Sequence, residues 1–527
     1  MLYVSLSVAF FLLFSIPVES DMSSCDKLPG GLSPYTERLP VEDCCRLINV
    51  PSESVQRVTV TADLCSADAD TAEWTFLFYD DSDFTNSYKP LSQFASEAYS
   101  TDNVNVFVLE DTDVGPAYLY YIPETGDPVV VEEWGEVNMG DWETLHNLIV
   151  WGKTNHPAER YMVTMYDHGG GWWGACLDVT SGNDILSMDE IQDAIEGAGG
   201  IDILAFTAPC LMGALESAYE LRDCVDVYIG SEDLSGYIYW FDIMDDICDL
   251  LNNSSTLSTE EVGCLIIDLV ETNFAAPYDQ QGTMSAIDQA GLNNMVTVFD
   301  QLCVYMTDHI DELGSVIQET RESAWYLGAG YYVLPEIDFY DFLSLYLEAE
   351  EDPFVQARIQ EIIVLFEPLI LSEIHGELQG RTHGLSIYFP LTEEESYLEL
   401  YGSINLDFAD NTNWNEFLEA YYEWQLTGIE GDAASNQLSI HPGCNPCSGT
   451  TELFYSCSVS GRISIDIRDI TGRTVRSYTE SAYAGEPGSF VWEGLSDSGA
   501  SVPGGVYIVS ISDLSGNTAS VKVVMVE

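Results

Sequence analysis

Between Glu73 and Gly230 the chain alternates short apolar runs with segments of helical periodicity, and no other feature restricts its fold as strongly. The apolar runs have the length and composition of buried strands; they are Trp74–Tyr79, Val104–Leu109, Tyr161–Tyr166, Ile201–Phe206 and Val225–Gly230. Helical spacing separates several of them, at Asp141–Trp151, Met188–Ile195 and Leu211–Leu221. This alternation predicts an α/β fold, with a parallel sheet that carries helices on both faces.

The rest of the chain divides into further regions by composition. Residues 256–375 are predicted to be mostly helical with one strand at Thr283–Ile287, and a buried strand at Gly384–Pro390 and a helix at Trp414–Leu426 complete a domain over 72–426. Residues 427–450 are rich in Gly, Asn, Ser and Pro, which is typical of a linker. In 451–527 apolar and polar residues alternate, which predicts a small antiparallel, Ig-like β-sandwich.

The first seventy-one residues have a different character. An apolar run at Val8–Ile16 followed by Val18-Glu19-Ser20 predicts a signal peptide over 1–20. Residues 21–71 contain four cysteines and form either a small N-terminal segment or a pro-region. No other stretch is long and apolar enough to span a bilayer, so we expect no transmembrane segment and a secreted or cell-surface protein.

Charge and cysteine content restrict the partners and the redox state. The chain has 88 acidic residues and 16 basic residues, and so acidic a surface repels nucleic acid. An exported chain can form disulfides, and with 13 cysteines at least one thiol has no partner within the chain. The close pair Cys444 and Cys447 is read as a disulfide staple or strand anchor rather than a redox motif. The histidines lack metal-ligand spacing, so no metal site is predicted.

Two strands of the predicted sheet end in residues that suit thiol chemistry. The strand Tyr161–Tyr166 leads into Asp167-His168-Gly169, and the strand Ile201–Phe206 leads into Pro209-Cys210. Because the carboxyl ends of parallel strands share one edge of a sheet, we expect the imidazole and the thiol to lie close together. A helix that starts just after Cys210 would lower the pKa of its thiol through the helix dipole.

Other candidates for catalysis fit less well. Cys176 follows His168 by eight residues but does not end a strand, and Cys224 ends a predicted helix, where the dipole disfavours a thiolate. His383 precedes a buried strand and is expected to be structural. Asp80, Asp81 and Asp83 follow a strand; they could line the cleft, but we expect them in a solvated loop.

Several motifs in order resemble the clostripain family of cysteine peptidases. They are Gly135–Gly140, Tyr166–Trp172, Phe206–Gly213, Ala218–Arg222 and Gly384–Pro390. The resemblance implies a caspase-like α/β fold and endopeptidase activity on protein or peptide substrates. It implies that Cys210 is the nucleophile, that His168 is its imidazole partner, and that the backbone N–H groups of Gly169 and Cys210 form the oxyanion hole. No cofactor is implied for the chemistry, although enzymes of this type can require calcium.

The sequence departs from the family where the substrate side chain would bind. Family members carry an Asp two positions before the nucleophile that recognises a basic P1 residue, and here that position is Ala208. The family's acidic, glycine-rich loop after the next strand is also altered, and corresponds here to Ser231–Trp240. We therefore expect a pocket that does not prefer Arg or Lys, lined by Ala208, Glu232, Asp233, Tyr239 and Trp240.

The C-terminal region resembles a flagellar hook-capping-type Ig-like domain. Arg462–Arg473, Trp492–Gly494 and Val502–Tyr507 carry the resemblance. Domains of this type end many exported bacterial enzymes, so it implies contact with secretion machinery or a cell-surface anchor. The lost Asp and this domain also allow a different class of function, a catalytically silent surface binding or adhesion protein on a peptidase scaffold.

Overall fold

The computed structural model describes residues 71–83, 90–125, 127–235, 240, 242–273, 282–327, 335–392, 398–432, 438–442, 447–456, 460–469, 473–482, 488–496, 499–512 and 518–526. The signal peptide predicted over 1–20, nearly all of the segment over 21–71, and Cys444 lie outside these residues. The described residues form two compact units. Those up to Phe417, apart from His309–Gly314, make up the first unit, and those from Leu418 onward belong to the second.

Thirteen described strands belong to the first unit. They are β1 Ala72–Ser82, β2 Val104–Thr112, β3 Ala117–Tyr121, β4 Val129–Gly135, β5 Ala158–Tyr166, β6 Ala175–Asp178, β7 Asp184–Leu186, β8 Ile201–Phe206, β9 Val225–Gly230, β10 Thr283–Asp288, β11 Glu336–Asp338, β12 Ile370–His375 and β13 Ser386–Tyr388. Nine of them form the central sheet, in the order β12-β10-β9-β8-β5-β1-β2-β3-β4.

The centre of this sheet is parallel, as the sequence predicts, and its edges are not. Strands β2, β1, β5, β8 and β9 run in one direction. Strands β3 and β4 add an antiparallel hairpin at one edge, and β10 and β12 pair antiparallel at the other. The predicted strand over 384–390 is limited to β13, which pairs with β11 outside the central sheet. The periodicity of 370–375 did not reveal the edge strand β12.

Helices connect these strands. They are α1 Pro90–Glu97, α2 Trp142–Asn155, α3 Met188–Gly197, α4 Leu215–Glu220, α5 Met244–Asn252, α6 Thr259–Asn273, α7 Leu292–Asp308, α8 Ile310–Ser323, α9 Phe339–Ala349, α10 Pro353–Phe366, α11 Leu398–Tyr401, α12 Asp407–Asn411 and α13 Trp414–Asp432. Several begin as their sequences dictate: the side chain of Asp141 caps α2, and Ser187 and Glu190 form a capping box at α3. None of the described helices is long and apolar enough to cross a membrane.

Side-chain alternation along β1 builds the core on both faces of the sheet. Trp74, Phe76 and Phe78 are fully buried in a cluster with apolar side chains of α5 and α6. On the other face Leu77 meets α2 at Gly152, where an added Cβ would lie 3.0 Å from a Leu77 methyl carbon. The sheet is therefore buried between two helical layers, as expected for a parallel sheet.

The second unit contains the β-sandwich at the C-terminus. Its strands are β14 Ser439–Pro442, β15 Cys447–Ser448, β16 Thr451–Ser456, β17 Gly461–Asp469, β18 Thr474–Ala482, β19 Gly488–Trp492, β20 Gly505–Ser512 and β21 Thr518–Val526. They form a three-stranded sheet, β14-β16-β19, and a five-stranded sheet, β15-β21-β20-β17-β18. Strands β14 and β15 precede residue 451, so the sandwich includes the end of the linker predicted over 427–450. Helix α13 includes the beginning of that predicted linker, up to Asp432.

The described cysteines do not form the disulfides that export led us to expect. Cys176, Cys210, Cys224, Cys248, Cys264 and Cys303 are free thiols. Most are buried singly within separate elements, where each packs as a small apolar side chain. Disulfide formation stays a prediction for the cysteines outside the described residues.

Candidate active site

The two segments that carry the predicted dyad leave the sheet side by side. Strands β5 and β8 are parallel neighbours, with Met165 opposite Phe206 at their ends. The residue after β8, Thr207, bonds back to the end of β5: its N–H and its hydroxyl both donate to the Met165 carbonyl, at 3.0 and 2.9 Å. The turns that follow, with His168 on one and Cys210 on the other, therefore start from adjacent, fixed points.

A short hairpin fixes the backbone of His168. The His168 carbonyl accepts from the N–H of Cys176 at 3.0 Å, and the Gly170 N–H donates to the Gly174 carbonyl at 2.9 Å. Burial lowers the pKa of the His168 imidazole below its ordinary value. At neutral pH the ring is therefore uncharged and able to accept a proton.

Gly169 is the point at which the two turns touch. A Cβ added there would lie 2.5 Å from the Cys210 carbonyl oxygen and 2.7 Å from the Cys210 nitrogen, so no side chain fits without moving the nucleophile. In the described part of the chain, the N–H groups of Gly169 and Cys210 donate to no acceptor. Two adjacent backbone donors without acceptors are what an oxyanion hole requires.

The helix predicted to start after Cys210 begins later, so the helix-dipole prediction was wrong. Helix α4 starts at Leu215, and Leu211 has a left-handed backbone with φ +63°. The intervening segment is not helical because its backbone pairs elsewhere: the Gly213 N–H donates to the Ser231 carbonyl at 2.7 Å, and the Gly213 carbonyl accepts from the Ser386 N–H at 2.8 Å. Cys210 thus lies in a turn, away from a helix N-terminus.

The surroundings of Cys210 raise the pKa of its thiol, whereas the sequence led us to expect a lowered pKa. Burial, together with the negative charges of Asp233 and Asp167, raises the pKa of Cys210 to about 11. The Ser235 backbone N–H donates to Sγ at 3.3 Å and acts in the other direction. In the resting protein the Cys210 thiol and the His168 imidazole are therefore both neutral.

Four of the five predicted pocket residues lie within the described part of the chain, and all four are buried. Ala208 is 9% exposed. Glu232 accepts from the Gly384 N–H at 2.6 Å, and Asp233 accepts from Leu234 N–H at 2.6 Å and from the Gln379 amide. Trp240 is fully buried in the core, and Tyr239 lies outside the described residues.

The sequence did not indicate which residues support the loop over 231–235. The Ser231 hydroxyl bonds to the Asp233 carbonyl and to the Thr283 hydroxyl, both at 3.0 Å, and the Asp233 N–H donates to the same Thr283 hydroxyl at 3.2 Å. Gln379 is likewise buried beside Asp233. These partners are distant in the sequence, and no local pattern marks them.

The two less favoured thiols are buried, and His383 is held by an acidic partner. Cys176 has φ +57°, and burial raises the pKa of its thiol well above the ordinary value. Cys224 is buried and its pKa is raised to about 12. His383 is held by Asp338, whose carboxylate contacts both the ring Nδ1, at 3.1 Å, and the backbone N–H, at 2.6 Å.

The acidic residues after β1 are buried, so the prediction of a solvated loop was wrong. Asp80 and Asp81 are the two residues before the last residue of β1, Ser82, and both are fully buried. We define a carboxylate cluster whose members are all buried and whose charges act on one another; it consists of Asp81, Asp83, Asp111, Asp167 and Asp178. Within the described residues, both side-chain oxygens of Asp81 and one each of Asp83, Asp111 and Asp167 have no hydrogen-bond partner.

The described part of the chain contains no set of side chains placed to bind a metal ion. No group of three described His, Cys, Asp or Glu side chains is placed to hold one together, the carboxylate cluster included. Calcium binding therefore stays a prediction from the resemblance, and no step of the chemistry below depends on it.

A parallel-centred sheet between helices, with a histidine and a cysteine on adjacent strand ends, defines a caspase-like cysteine peptidase scaffold. The family model described as the clostripain family matches residues 77–422, and the chain belongs to that family.

Individual relatives match less of the chain. Clostripain of Hathewaya histolytica is 39% identical over 101 residues, a match that spans 16% of this chain and 19% of that protein. The crystal structure of an inactive zymogen C11 protease from Parabacteroides distasonis has 19% identity and a TM-score of 0.52, and covers 65% of this chain and 99% of that one. That of a secreted C11 cysteine protease from Bacteroides thetaiotaomicron, in complex with an irreversible peptide inhibitor, has 16% identity and a TM-score of 0.49, with coverages of 65% and 99%. The first structural likeness supports the fold.

Proposed function

We propose that this protein is a secreted cysteine endopeptidase in which Cys210 is the nucleophile and His168 the general base. The close approach of Gly169 to the backbone of Cys210 carries the proposal, because it brings together the two turns and two backbone donors that have no acceptor among the described residues. Membership of the clostripain family supports the same reaction class. Export is supported by the apolar run at Val8–Ile16.

The neutral state of the resting pair determines the order of proton movement. As Sγ of Cys210 forms its bond to the substrate carbonyl carbon, the thiol proton moves to the His168 imidazole. The developing oxyanion accepts hydrogen bonds from the N–H groups of Gly169 and Cys210. The His168 imidazolium then protonates the leaving amine as the C–N bond breaks, which leaves a thioacyl-enzyme. Water, deprotonated by His168, hydrolyses it and restores the thiol.

The decisive test replaces the nucleophile and compares it with a second buried thiol. Cys210→Ala should abolish peptide hydrolysis, measured as kcat/KM on a fluorogenic peptide. Cys176→Ala should retain most of it, since the Cys176 side chain is fully buried and bonds only weakly, to the Tyr166 carbonyl at 3.9 Å. Hydrolysis by Cys210→Ala at the wild-type rate would rule out the mechanism, and a wild-type protein that hydrolyses no peptide would favour the binding or adhesion alternative.

We further propose that the primary pocket does not prefer Arg or Lys at P1. Ala208 provides only a methyl group where family members carry the recognising carboxylate. Glu232 and Asp233, the nearby acids that could replace it, are fully buried and already bonded to Gly384 and Gln379. A basic P1 group desolvated without a partner would cost roughly 3–5 kcal/mol, whereas burial of an apolar P1 side chain contributes roughly 1.5–3 kcal/mol.

Matched peptides that differ only at P1 test this specificity. Peptides with Leu or Phe at P1 should be hydrolysed with a higher kcat/KM than those with Arg or Lys, and Ala208→Asp should shift the preference toward Arg. A kcat/KM for Arg or Lys about tenfold above the others, equal to about 1.4 kcal/mol, would refute the proposal. The C-terminal sandwich is proposed to serve sorting or anchoring, in line with its resemblance to hook-capping-type domains.

A further inference from the structure

A short ladder of backbone contacts joins the turn of the nucleophile to the segment 231–235. The Gly213 N–H donates to the Ser231 carbonyl at 2.7 Å, and the Leu211 N–H donates to the Asp233 carbonyl at 3.1 Å. The spacing of two residues on each side, in opposite directions, is that of an antiparallel pair. One step further along, Ser235 faces Pro209 and Cys210.

Proline changes what happens at that step. Pro209 has no N–H and cannot donate to the opposite segment, so the ladder does not continue through it. Instead the Ser235 N–H points to Sγ of Cys210, at 3.3 Å. Backbone pairing between the two segments therefore ends at Leu211, and the next N–H along the opposite segment, that of Ser235, donates to the sulfur.

We infer that the Ser235 backbone N–H is a positioning donor for the Cys210 sulfur, which holds the thiol in place and stabilises the thiolate as it forms. The inference rests on the proposed function in treating Cys210 as the nucleophile. A thiolate is a much stronger acceptor than a thiol, so the contact strengthens as negative charge develops on sulfur.

The donor is held by contacts that do not involve Cys210. The segment is anchored by Thr283, whose hydroxyl bonds to Ser231 at 3.0 Å and accepts from the Asp233 N–H at 3.2 Å. The sulfur is fixed from its own side, because the left-handed turn at Leu211 is stabilised by burial of that side chain and by its bond to Asp233. The Leu211–Asp233 and Gly213–Ser231 bonds thus hold donor and acceptor in register with each other in the resting protein, which is what preorganisation requires.

The electrostatics of the site make this single donor matter. Burial and the negative charges of Asp233 and Asp167 all oppose ionisation of the Cys210 thiol. The hydrogen bond from the Ser235 N–H acts in the opposite direction and favours the thiolate. Its effect is opposed by these groups, so loss of the N–H should reduce the reactive fraction of Cys210 further.

Replacing Ser235 by proline removes the N–H, and replacing it by alanine keeps the N–H as a matched control. The Ser235 hydroxyl has no partner within the described residues, so the alanine variant removes little else. The assay is the rate of Cys210 alkylation by iodoacetamide between about pH 7 and pH 10, scored by mass spectrometry on the peptide that contains Cys210. Ser235→Pro should lower that rate about tenfold at pH 8 and move the profile up by about one pH unit, while Ser235→Ala should match the wild type. Coincident profiles for all three proteins would overturn the inference.

Amide hydrogen exchange provides a second measurement if the proline variant does not fold. Cys210→Ala removes the acceptor sulfur, so exchange of the Ser235 amide should become about tenfold faster, while the Leu211 and Gly213 amides keep their protection. Unchanged exchange at Ser235 would refute the inference. Neither experiment needs turnover, so both remain informative if Cys210→Ala shows that the proposed peptidase function is wrong.

Discussion

Asp111→Asn tests how the buried carboxylate cluster limits stability. Asp111 lies at the end of β2 beside Asp81 and is fully buried. One of its oxygens accepts from the Thr112 N–H at 3.1 Å, and the other has no partner among the described residues. Burial, followed by the charges of Asp178 and Glu136, raises the pKa of Asp111 to about 7. Asparagine keeps the shape and the bond to Thr112 but carries no charge at any pH.

The size and sign of the effect follow from this pKa. An unfolded Asp titrates near 3.9, so the shift is about 3 units, or about 4 kcal/mol as an upper limit. Because the folded pKa is raised, the stability that the proton provides is complete below about pH 4 and is lost as the pH rises through about 7. Asp111→Asn should therefore be as stable as the wild type at pH 4 and more stable at pH 8, by about 1–4 kcal/mol.

Urea denaturation followed by tryptophan fluorescence, at several pH values between 4 and 8, measures this difference. Asp113→Asn is the control, because Asp113 is two residues away and partly exposed, and we expect its variant to follow the wild-type pH profile. If Asp111→Asn were destabilised equally at pH 4 and pH 8, ionisation of the Asp111 carboxyl group would not be what lowers the stability of the wild type at high pH. A wild-type stability that does not fall between pH 4 and pH 7 would contradict the reasoning as well.

Two further predictions concern the site and the domain boundary. Gly169→Ala should abolish hydrolysis and slow Cys210 alkylation, because its Cβ would overlap the Cys210 backbone, whereas Gly380→Ala, where an added Cβ meets nothing within 4 Å, should keep activity; an active Gly169→Ala would show that the two turns can separate. A chain that ends at Asp432, before the first strand of the sandwich, should fold and hydrolyse peptides at a similar rate, judged by circular dichroism and kcat/KM; an insoluble or inactive product would show that catalysis depends on the sandwich.

The parts of the fold that the sequence revealed are those in which local pattern and tertiary context agree. Strands β1, β5 and β8 each contain a run of buried, mostly apolar residues because both faces of the sheet are covered, so the composition of these runs identified them. The placement of His168 and Cys210 on adjacent turns followed from the shared edge of parallel strands. Neither inference required knowledge of a distant partner.

The missed features depend on partners far away in the chain. The segment 211–214 has helical periodicity, but its backbone pairs with Ser231, Asp233 and Ser386, and these bonds outweigh its helical propensity. The acidic run after β1 has the composition of a solvated turn, and burial results from β6 and from the neighbouring end of β2. The edge strand β12 likewise depends on pairing with β10.

The turn at Leu211 changes how activation of the thiol must be explained. A helix starting at Cys210 would have lowered the thiol pKa before any substrate arrived, whereas the observed surroundings raise it and lower that of His168. A neutral pair gains nothing from proton transfer until negative charge moves from sulfur onto the substrate carbonyl. In the proposed mechanism the charge then lies near the N–H groups of Gly169 and Cys210, which have no acceptor among the described residues, and the proton lies on His168, so both unfavourable ionisations are compensated together. Reactivity is therefore a property of the complex with substrate, and the raised pKa keeps the resting Cys210 thiol in its less reactive, protonated form.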